Sequence, residues 1–333
     1  MQAQVTTIGD AMRDIFVFPA LEEMEGLISK NHEKFLAFGY GDKITISDIH
    51  YDVGGTACNV AVGLAKLGLK TGIISAVGKD IEGAEIIQRL KKSGVDTSAL
   101  KTSLHKKTSF SVIISYKGER SILVFHSFTP EDFQIPEKFE TEWLYVGPLG
   151  EGYRPLYSKI ISFAAEKNLK IALNPGAVQI HDGHMAFEGL LRVTKILFVN
   201  KEEGQKLAGI SGTAKIDEII KGLLKFGPEI VVVTDGEDGA YAARGAFRHA
   251  EFFKVGAHPA YRIETTGAGD SFAVGFIVAT IHGEELFTCL KWGVTNASSV
   301  IEKYGAQQGL LGLGALKRRV KEYKWPASTL RFS

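Results

Sequence analysis

The chain is organised around the stretch Glu264-Thr265-Thr266-Gly267-Ala268-Gly269-Asp270-Ser271-Phe272. Residues 261–263 before it read as the end of a strand, and residues 272–282 after it are almost wholly apolar or small, which is typical of a buried helix. Glycines at such a junction let the backbone approach a ligand closely, and the first amides of a helix have no partner inside it. With the positive end of the helix dipole, these groups predict an anion site.

Asp270 lies one residue beyond the second glycine, beside the predicted anion site. A carboxylate there is repelled by a phosphate unless it takes a proton from a hydroxyl that attacks the phosphate. The stretch therefore predicts phosphoryl transfer with Asp270 as the general base. An ordinary strand–helix turn with aspartate as its N-cap uses the same residue types, so the motif alone leaves a structural role open.

The composition narrows the class of protein. The 333 residues carry a formal net charge of +1, with 45% hydrophobic and 23% charged residues, as in ordinary globular proteins. No long basic block supports nucleic-acid binding, and the apolar run near 272–281 is too short to cross a bilayer. Cys58 and Cys289 form no metal or disulfide pattern. Since the N-terminus does not resemble a signal peptide, we expect a cytoplasmic protein without a nucleic-acid or membrane partner.

Polar residues follow the first two predicted strands. Asp14 comes soon after the strand at 5–9 and could accept bonds from substrate hydroxyls or serve in a turn. A half-exposed strand at 43–52 runs into Gly54 and Gly55, and Asn59 follows at the start of an amphipathic helix. An amide offers both a donor and an acceptor, so this combination suits a polyhydroxylated ligand, with a plain strand–helix turn as the alternative.

Two alternating strands, 108–116 and 121–125, predict a β-hairpin inside an otherwise alternating strand–helix chain, whose rhythm favours a parallel sheet. Together with the strand at 43–52, the hairpin could form a small antiparallel sheet that covers the site as a lid and excludes water, or it could extend the main sheet. The polar segment 21–36 reads as a surface insertion. An apolar lid would favour a nucleoside substrate and a polar lid a free sugar; the candidate lid side chains are Phe16, Phe18, Ile46, Phe110 and Val112.

The second half of the chain carries predicted phosphate and nucleotide contacts. Asn200 and Glu203 follow the strand at 195–199, where they suit water-mediated contact with Mg²⁺ and phosphates, although a capping box uses similar residues. The apolar strand at 229–234 ends at Thr234, and Gly236 follows, so a nucleotide's phosphates or ribose could lie there. The chain has neither a P-loop nor a dinucleotide fingerprint, which disfavours a Walker-type ATPase and a nicotinamide enzyme.

Four segments resemble, in the same order, those of the ribokinase-like PfkB family of carbohydrate kinases. They are Gly54-Gly55 with Asn59, Gly78-x-Asp80-x-x-Gly83, Asn200-x-x-Glu203 and Thr265-Thr266-Gly267-Ala268-Gly269-Asp270. The resemblance spans nearly the whole chain and implies an α/β three-layer sandwich with a mostly parallel central sheet and a small β-sheet lid. It implies one domain over 1–333, a lid built from about 14–18, 43–53 and 107–126, and a homodimer formed through that lid.

The resemblance also implies an activity, which is ATP-dependent phosphorylation of a hydroxyl on a small sugar. A nucleoside kinase of the same family is the alternative, and a non-catalytic sugar or nucleotide sensor is a competing class that the intact Asp270 argues against. Asp270 would be the base. The anion hole would be formed by Gly267, Ala268 and Gly269.

The remaining site residues follow from the same resemblance. The sugar would be held by Asp14, Gly54, Gly55 and Asn59. The ATP site, with Mg²⁺ held by Glu203 through water, would comprise Asn200, Glu203, Thr234, Gly236, Gly239 and Asn296. Glu264 stands where the family often has an aspartate that helps bind a monovalent cation, so it is a candidate K⁺ ligand. Members with that cation site often carry a hydroxyl roughly where Gly309 falls, which puts potassium activation in doubt.

Overall fold

A computed structural model describes residues 2–20, 25–28, 34–116, 119–210, 212, 214–245 and 249–325. Part of the predicted insertion at 21–36 and the hairpin turn at 117–118 lie outside the described residues. The strands are β1 (Val5–Ile8), β2 (Met12–Pro19), β3 (Glu25–Ile28), β4 (Lys34–Ala37), β5 (Ile46–Gly54), β6 (Thr71–Gly78), β7 (Leu100–Ser103), β8 (Phe110–Tyr116), β9 (Glu119–Phe125), β10 (Trp143–Val146), β11 (Lys170–Leu173), β12 (Thr194–Asn200), β13 (Ile230–Thr234), β14 (Ala240–Arg244) and β15 (Glu251–Val255). The α-helices are α1 (Thr56–Lys66), α2 (Ile81–Lys92), α3 (Arg154–Lys167), α4 (Ala177–Asp182), α5 (Glu188–Arg192), α6 (Lys201–Ala208), α7 (Ile216–Leu224), α8 (Ala268–Ile281), α9 (Leu286–Val300) and α10 (Leu313–Glu322).

Within the described ranges, nine strands form the central sheet, in the order β15-β14-β13-β12-β11-β10-β1-β6-β7. Seven neighbouring strands of this sheet run parallel, namely β13, β12, β11, β10, β1, β6 and β7. β14 and β15 add an antiparallel edge. Since parallel strands point the same way, their carboxyl ends meet at one edge of the sheet, which is where open α/β sheets bind ligands.

Helices cover both faces of this sheet. Apolar side chains of α3, α5, α6 and α7 pack on one face, and those of α1, α8, α9 and α10 pack on the other. The predicted three-layer α/β sandwich with a mostly parallel sheet is confirmed. Helix α8 is buried from Ser271 to Ala279, because its sequence is apolar or small on every side.

A second sheet, which we call the lid sheet, has four strands among the described residues, in the order β5-β2-β8-β9. The predicted lid is therefore a separate sheet and does not extend the central one. It is mixed and not wholly antiparallel, because β2 pairs with β8 in parallel, while β2–β5 and β8–β9 are antiparallel. Separate connections from the central sheet deliver β2 and β8, so no hairpin forces them to run in opposite directions.

The strand expected at residues 261–263 is absent from the described structure, where these residues belong to the connection between β15 and α8. The amides of Ile263 and Glu264 both donate to the carbonyl oxygen of Ile301, which follows α9. A segment whose amides bond to a helix end has no ladder partner, so it forms no strand. The central motif therefore enters α8 from a loop.

Candidate active site

The turn before α8 is built by tight backbone contact. Gly267 is the residue before the helix and has φ 77°, a left-handed conformation that favours glycine. A Cβ atom on Gly267 would lie 2.4 Å from the Cβ of Ala306. Two segments far apart in the sequence therefore meet at this glycine, and a larger residue would push the loop around Ala306 away from the helix start.

The amides at the start of α8 are the candidate anion hole. The Ser271 N–H donates to the Gly267 carbonyl, which is the first bond of the helix, and the Ala268 N–H donates to the Thr265 carbonyl at 3.2 Å. The amides of Gly269 and Asp270 precede the first helical bond, so the helix leaves them without partners. The predicted hole of residues 267–269 is thus best supported at Gly269, because the Ala268 donor is already used.

Asp270 faces α1 across the turn. The Asn59 Nδ2–H group donates to Asp270 Oδ2 at 2.8 Å. Burial raises the pKa of Asp270 to about 6, while the hydrogen bonds from Asn59 and Thr56 oppose that rise. A carboxyl group with a pKa near neutral can both accept and release a proton at working pH, which suits a general base.

Asp14 lies on β2 of the lid sheet and is buried, with 5% of the residue exposed. The Ser111 hydroxyl donates to Asp14 Oδ1 at 2.5 Å. Burial raises the pKa of Asp14 to about 6 against this hydrogen bond, and the nearby carboxylates, Asp52 first, add to the rise. A Cβ atom on Gly54 would lie 1.8 Å from Asp14 Oδ2, so Gly54 makes room for the Asp14 carboxyl.

A cavity of about 390 Å³ lies between the lid sheet and the start of α8. We call it the acceptor cavity. Its lining brings together the predicted residues Asp14, Gly55, Asn59 and Asp270 with several that sequence reasoning missed. The missed residues lie on the lid strands or next to the ends of those strands; they are Asp10, Met12, Ser111, Ile113, Arg120, Ile122, Val124 and His126.

A second cavity, of about 430 Å³, lies on the other side of the α8 start; we call it the nucleotide cavity. The predicted Thr234, Gly236 and Gly239 all line it. Its remaining wall comes from the loop at 257–262 and one face of α9, including Val294, Ala297 and Ser298. Both cavities share Thr265, Ala268 and Gly269 in their linings, so the glycine turn separates two adjoining spaces.

Asn296 does not belong to the lining of the nucleotide cavity. It is fully buried, where its Nδ2–H group donates to the Ser271 carbonyl at 2.7 Å and its Oδ1 accepts from the Leu311 amide at 3.4 Å. These bonds join α9 to α8 and to the following loop. The neighbouring residues on α9 face the cavity instead.

Asn200 and Glu203 form a reciprocal capping box at the start of α6. Asn200 Oδ1 accepts from the Glu203 amide and Glu203 Oε2 accepts from the Asn200 amide, each at 2.9 Å. Burial raises the pKa of Glu203 against the hydrogen bond from the Asn200 amide. The capping box, which was the alternative to a magnesium and phosphate role for this motif, is therefore present. It leaves only part of the Glu203 carboxylate available for another ligand.

Arg120 and Lys201 are charged residues near the site that the sequence did not single out. The Arg120 guanidinium, on lid strand β9, donates to Glu264 Oε1 at 3.1 Å and also contacts the Thr265 hydroxyl. Glu264 Oε1 further accepts from the Thr266 amide at 2.7 Å. Lys201 Nζ lies 2.9 Å from Asp235 Oδ2, next to the nucleotide cavity. Long side chains of this kind carry no local sequence signal, because strand pairing decides what they reach.

The segment Gly78-x-Asp80-x-x-Gly83 proves to be a helix cap tied to the lid. Asp80 Oδ1 accepts from the Gly83 amide at 2.9 Å and from the Thr108 hydroxyl at 2.5 Å, and Asp80 Oδ2 accepts from the Thr108 amide at 2.7 Å. Thr108 directly precedes the lid strand β8. Burial alone would raise the pKa of Asp80, but these hydrogen bonds together hold it below its usual value.

Two further observations concern metal-binding clusters and membrane-spanning helices. Throughout the described ranges, no three His, Cys, Asp or Glu side chains lie close enough together to hold a metal ion. In the same residues, no helix is both long enough and apolar enough to cross a membrane.

Comparison with known protein sequences finds kinases that act on small molecules. A family model described as "pfkB family carbohydrate kinase" matches residues 23–311. The nucleoside kinase of Methanothermobacter thermautotrophicus is 29% identical over 272 residues, which cover 80% of this chain and 84% of that protein. The 5-dehydro-2-deoxygluconokinase of Shouchella clausii is 28% identical over 287 residues, covering 81% and 86% respectively.

Solved structures show the same fold at lower identity. The nucleoside kinase of Methanocaldococcus jannaschii, described as an archaeal member of the ribokinase family, superposes with a TM-score of 0.76 at 23% identity over 97% of this chain and 99% of that one. The Arabidopsis thaliana ribokinase, solved with ribose and ATP, gives a TM-score of 0.77 at 20% identity over 97% of this chain and 100% of that one. The predicted ribokinase-like fold with its lid is thereby confirmed.

Proposed function

The chain belongs to the pfkB family of carbohydrate kinases, and from that premise we propose that it transfers the γ-phosphoryl group of ATP to a hydroxyl of a nucleoside, with Asp270 as the general base. The observation that carries this proposal is the position of Asp270. Its carboxyl lines the acceptor cavity, and the helix that bears it begins with residues that line both cavities. An acceptor hydroxyl and a terminal phosphate would meet at this point.

The proposed reaction needs little covalent chemistry from the protein. Asp270 accepts the proton of the acceptor hydroxyl as its oxygen bonds to the γ-phosphorus. The bond from that phosphorus to the β,γ-bridging oxygen breaks, and ADP leaves. The amide of Gly269 and the positive end of the α8 dipole stabilise the charge on the transferring phosphoryl oxygens.

Magnesium fits this site only with help from the nucleotide. Glu203 would hold it through water, because its partly buried carboxylate lies at the carboxyl edge of the sheet, after β12, while one of its oxygens caps α6. When bound, Mg²⁺ neutralises charge on the phosphates. For K⁺, Glu264 Oε2 is a candidate ligand, since it is buried and has no hydrogen-bond partner in the described part of the chain.

The acceptor cavity has a polar half and an apolar half. Asp14 and Asn59 lie in the polar half, where a carboxylate and an amide suit the hydroxyls of a ribose. The apolar half is formed by Met12, Ile113, Ile122 and Val124 of the lid sheet, whose inner face also carries Asp14, Ser111 and Arg120. Of the candidate lid side chains, Phe110 and Val112 lie on the outer face of the lid sheet, away from the cavity, because side chains alternate between the two faces along a strand.

The apolar half favours a nucleoside over a free sugar, because a flat base would cover it. Burying roughly 100 Å² of base at about 25 cal/mol per Å² contributes about 2.5 kcal/mol, or roughly 70-fold in affinity. Charge argues against a sugar acid. The basic side chains of the cavity already face carboxylates, Arg120 facing Glu264 at 3.1 Å and His126 facing Asp10 at 3.3 Å. A neutral free sugar, held by the polar half alone, is the second candidate.

ATP consumption measured against adenosine, other nucleosides, ribose, fructose and 2-keto-3-deoxygluconate separates these acceptors. We expect kcat/KM for the best nucleoside to exceed that for ribose by roughly 70-fold, from the buried area above. Ile122→Ser should reduce this preference, whereas Leu123→Ser, one residue along β9 and on the other face, should leave it intact. Equal kcat/KM for ribose and every nucleoside would overturn the nucleoside assignment, and no ATP consumption with any acceptor would overturn the kinase proposal.

The outer face of the lid sheet supports a homodimer. It presents large apolar side chains that are well exposed, among them Tyr51 at 56%, Leu123 at 61% and Phe125 at 43%. Covering such a face with a second copy removes apolar area from water. Light scattering on the purified protein, with Leu123→Asp as the disrupting variant, tests this pairing. The single-domain organisation, with a lid near 14–18, 43–53 and 107–126, and the cytoplasmic location stay predictions.

A further inference from the structure

Three polar side chains from distant parts of the chain form one hydrogen-bonded row behind the acceptor cavity. Gln307, in the loop after α9, donates through Nε2 to Asn59 Oδ1 at 3.0 Å. Asn59, on α1, donates through Nδ2 to Asp270 Oδ2 at 2.8 Å. Gln307 and Asn59 are each only 5% exposed. We call this row the Gln307 relay.

The direction of the relay is fixed by its far end. Gln307 Nε2 also donates to the Val53 carbonyl oxygen at 2.9 Å and lies 3.8 Å from Cys58 Sγ. If the Gln307 amide were turned over, its Oε1 would face the Val53 carbonyl oxygen, which cannot donate a hydrogen bond, and the two oxygens would repel each other. The Gln307 side chain must therefore present its nitrogen to Asn59.

That choice sets the orientation of Asn59. Because Asn59 Oδ1 accepts from Gln307, its Nδ2 is turned towards Asp270. The opposite orientation would place the Asn59 amide oxygen against a carboxylate oxygen of Asp270, where the two oxygens repel each other and the hydrogen bond between them is lost. The orientation of the amide beside Asp270 is thus decided by a residue that does not line the acceptor cavity.

We propose that Gln307 is a positioning residue for the phosphoryl transfer, which acts through Asn59 to keep the Asp270 carboxylate ionised and aimed at the acceptor hydroxyl. This inference rests on the proposed role of Asp270 as the base. Asn59, which the sequence assigns to the substrate, then has a second task, since its amide nitrogen serves the base. The relay also connects the end of lid strand β5, at Val53, to the base.

Other titratable groups surround Asp270 and must be separated from the effect of the relay. Asp14, from β2, has a similarly raised pKa of about 6. Tyr145, from β10, has a pKa raised mainly by burial and also by the charges of Asp270 and Glu203. Asp10, Arg120, His126 and Glu264 lie in or beside the cavity lining, and Asp52, paired with Arg89, lies near Asp14. The fall of kcat at low pH, which we call the acid limb, therefore reflects several interacting titratable groups. Only the shift of this limb between matched variants reports on the relay.

The test compares two variants that add the same charge one residue apart. Gln307→Glu keeps the shape but replaces the donor by an acceptor, so Asn59 should turn its nitrogen towards Glu and its oxygen towards Asp270. We expect the acid limb of kcat to move up by about one pH unit, with the KM for ATP unchanged. Gln308→Glu, at the exposed neighbouring position, should leave the limb where it is.

Three further measurements decide the outcome. An acid limb unmoved in Gln307→Glu, or moved equally in Gln308→Glu, overturns the relay. In an Asn59→Ala background, Gln307→Glu should add no further shift, and a full additional shift would show a route that bypasses Asn59. If Gln307→Glu does not fold, Gln307→Leu removes the donor without adding charge, and its limb must also move up.

Failure of the relay can be told from failure of the proposed function. Normal turnover in Asp270→Asn would remove the base itself and with it the kinase mechanism. An inactive Asp270→Asn together with an unmoved limb in Gln307→Glu would leave the mechanism standing and overturn only the role of Gln307.

Discussion

Asp80 and Asp270 occupy similar places in the sequence and opposite physical states in the structure. Each follows a glycine-containing turn and lies at the start of a helix, and each belongs to a segment that resembles one of the PfkB family. Asp80 accepts hydrogen bonds from Gly83 and from both the amide and the hydroxyl of Thr108. Among the described residues, Asp270 accepts from the side chains of Asn59 and Thr56, and it lines a cavity.

The difference teaches how one residue type is made structural at one helix start and reactive at another. Burial raises the pKa of both groups, but at Asp80 several donors overcome it and the pKa falls below its usual value. At Asp270 burial prevails and the pKa rises to about 6. A carboxylate with saturated hydrogen bonds holds a fold together, whereas an undersaturated one facing a cavity can exchange a proton with a ligand.

The largest expected effect is on turnover. Asp270→Asn should lower kcat by roughly 10²–10⁴, because it removes the general base while leaving the ATP contacts in place. Asp80→Asn is the matched control and should retain most of the wild-type kcat. Steady-state ATP consumption, together with binding of ATP to each variant, measures both. A similar loss in the two variants would erase the distinction between them.

The next effect is a pH dependence of kcat that Asp270 should control and Asp80 should not. As pH falls below about 6, Asp270 gains a proton and can no longer act as a base, so kcat should drop about tenfold per pH unit. Asp14, which titrates in the same range, can sharpen this limb. The profile of Asp80→Asn should coincide with that of the wild type. A wild-type kcat that stays constant between pH 7 and about pH 4.5 would contradict the raised pKa of Asp270.

The smallest effects are on stability, and the two aspartates should have opposite signs. The pKa of Asp80 is depressed in the folded chain, so its contribution is present above the usual aspartate pKa and is lost as pH falls through the folded value. Asp80→Ala should therefore cost roughly 1–2 kcal/mol of unfolding free energy at neutral pH, as for the loss of an N-cap.

The pKa of Asp270 is raised on folding, so its favourable contribution is present below the usual aspartate pKa and is lost as pH rises through about 6. Asp270→Asn should consequently stabilise the protein at pH 8, by roughly 1–3 kcal/mol, with no gain below about pH 4. Urea unfolding of wild type, Asp80→Ala and Asp270→Asn at the two pH values checks both signs. Destabilisation by Asp270→Asn at pH 8 would mean that this carboxylate is structural after all.

Much of the fold could be predicted from the sequence because its signals are local. The alternation of apolar strands with amphipathic helices predicted the parallel sheet, and the apolar run after Phe272 predicted the buried helix α8. Glycine at positions 267 and 269 with an acid at 270 marked the helix start. The prediction of a strand at 261–263 was wrong, because the local sequence carries no sign that the amides of this segment bond to the end of α9.

The sequence by itself determined which residue types stand at the helix starts, and hence the family and the candidate base. Only the tertiary structure decided which of those residues are caps, which line a cavity and which, like Gln307 and Arg120, reach the site from a distant loop or strand. The physical reason is that the state of a carboxyl or amide depends on how many donors and acceptors surround it after burial. Those partners come from segments up to 254 residues apart, and no local pattern records them.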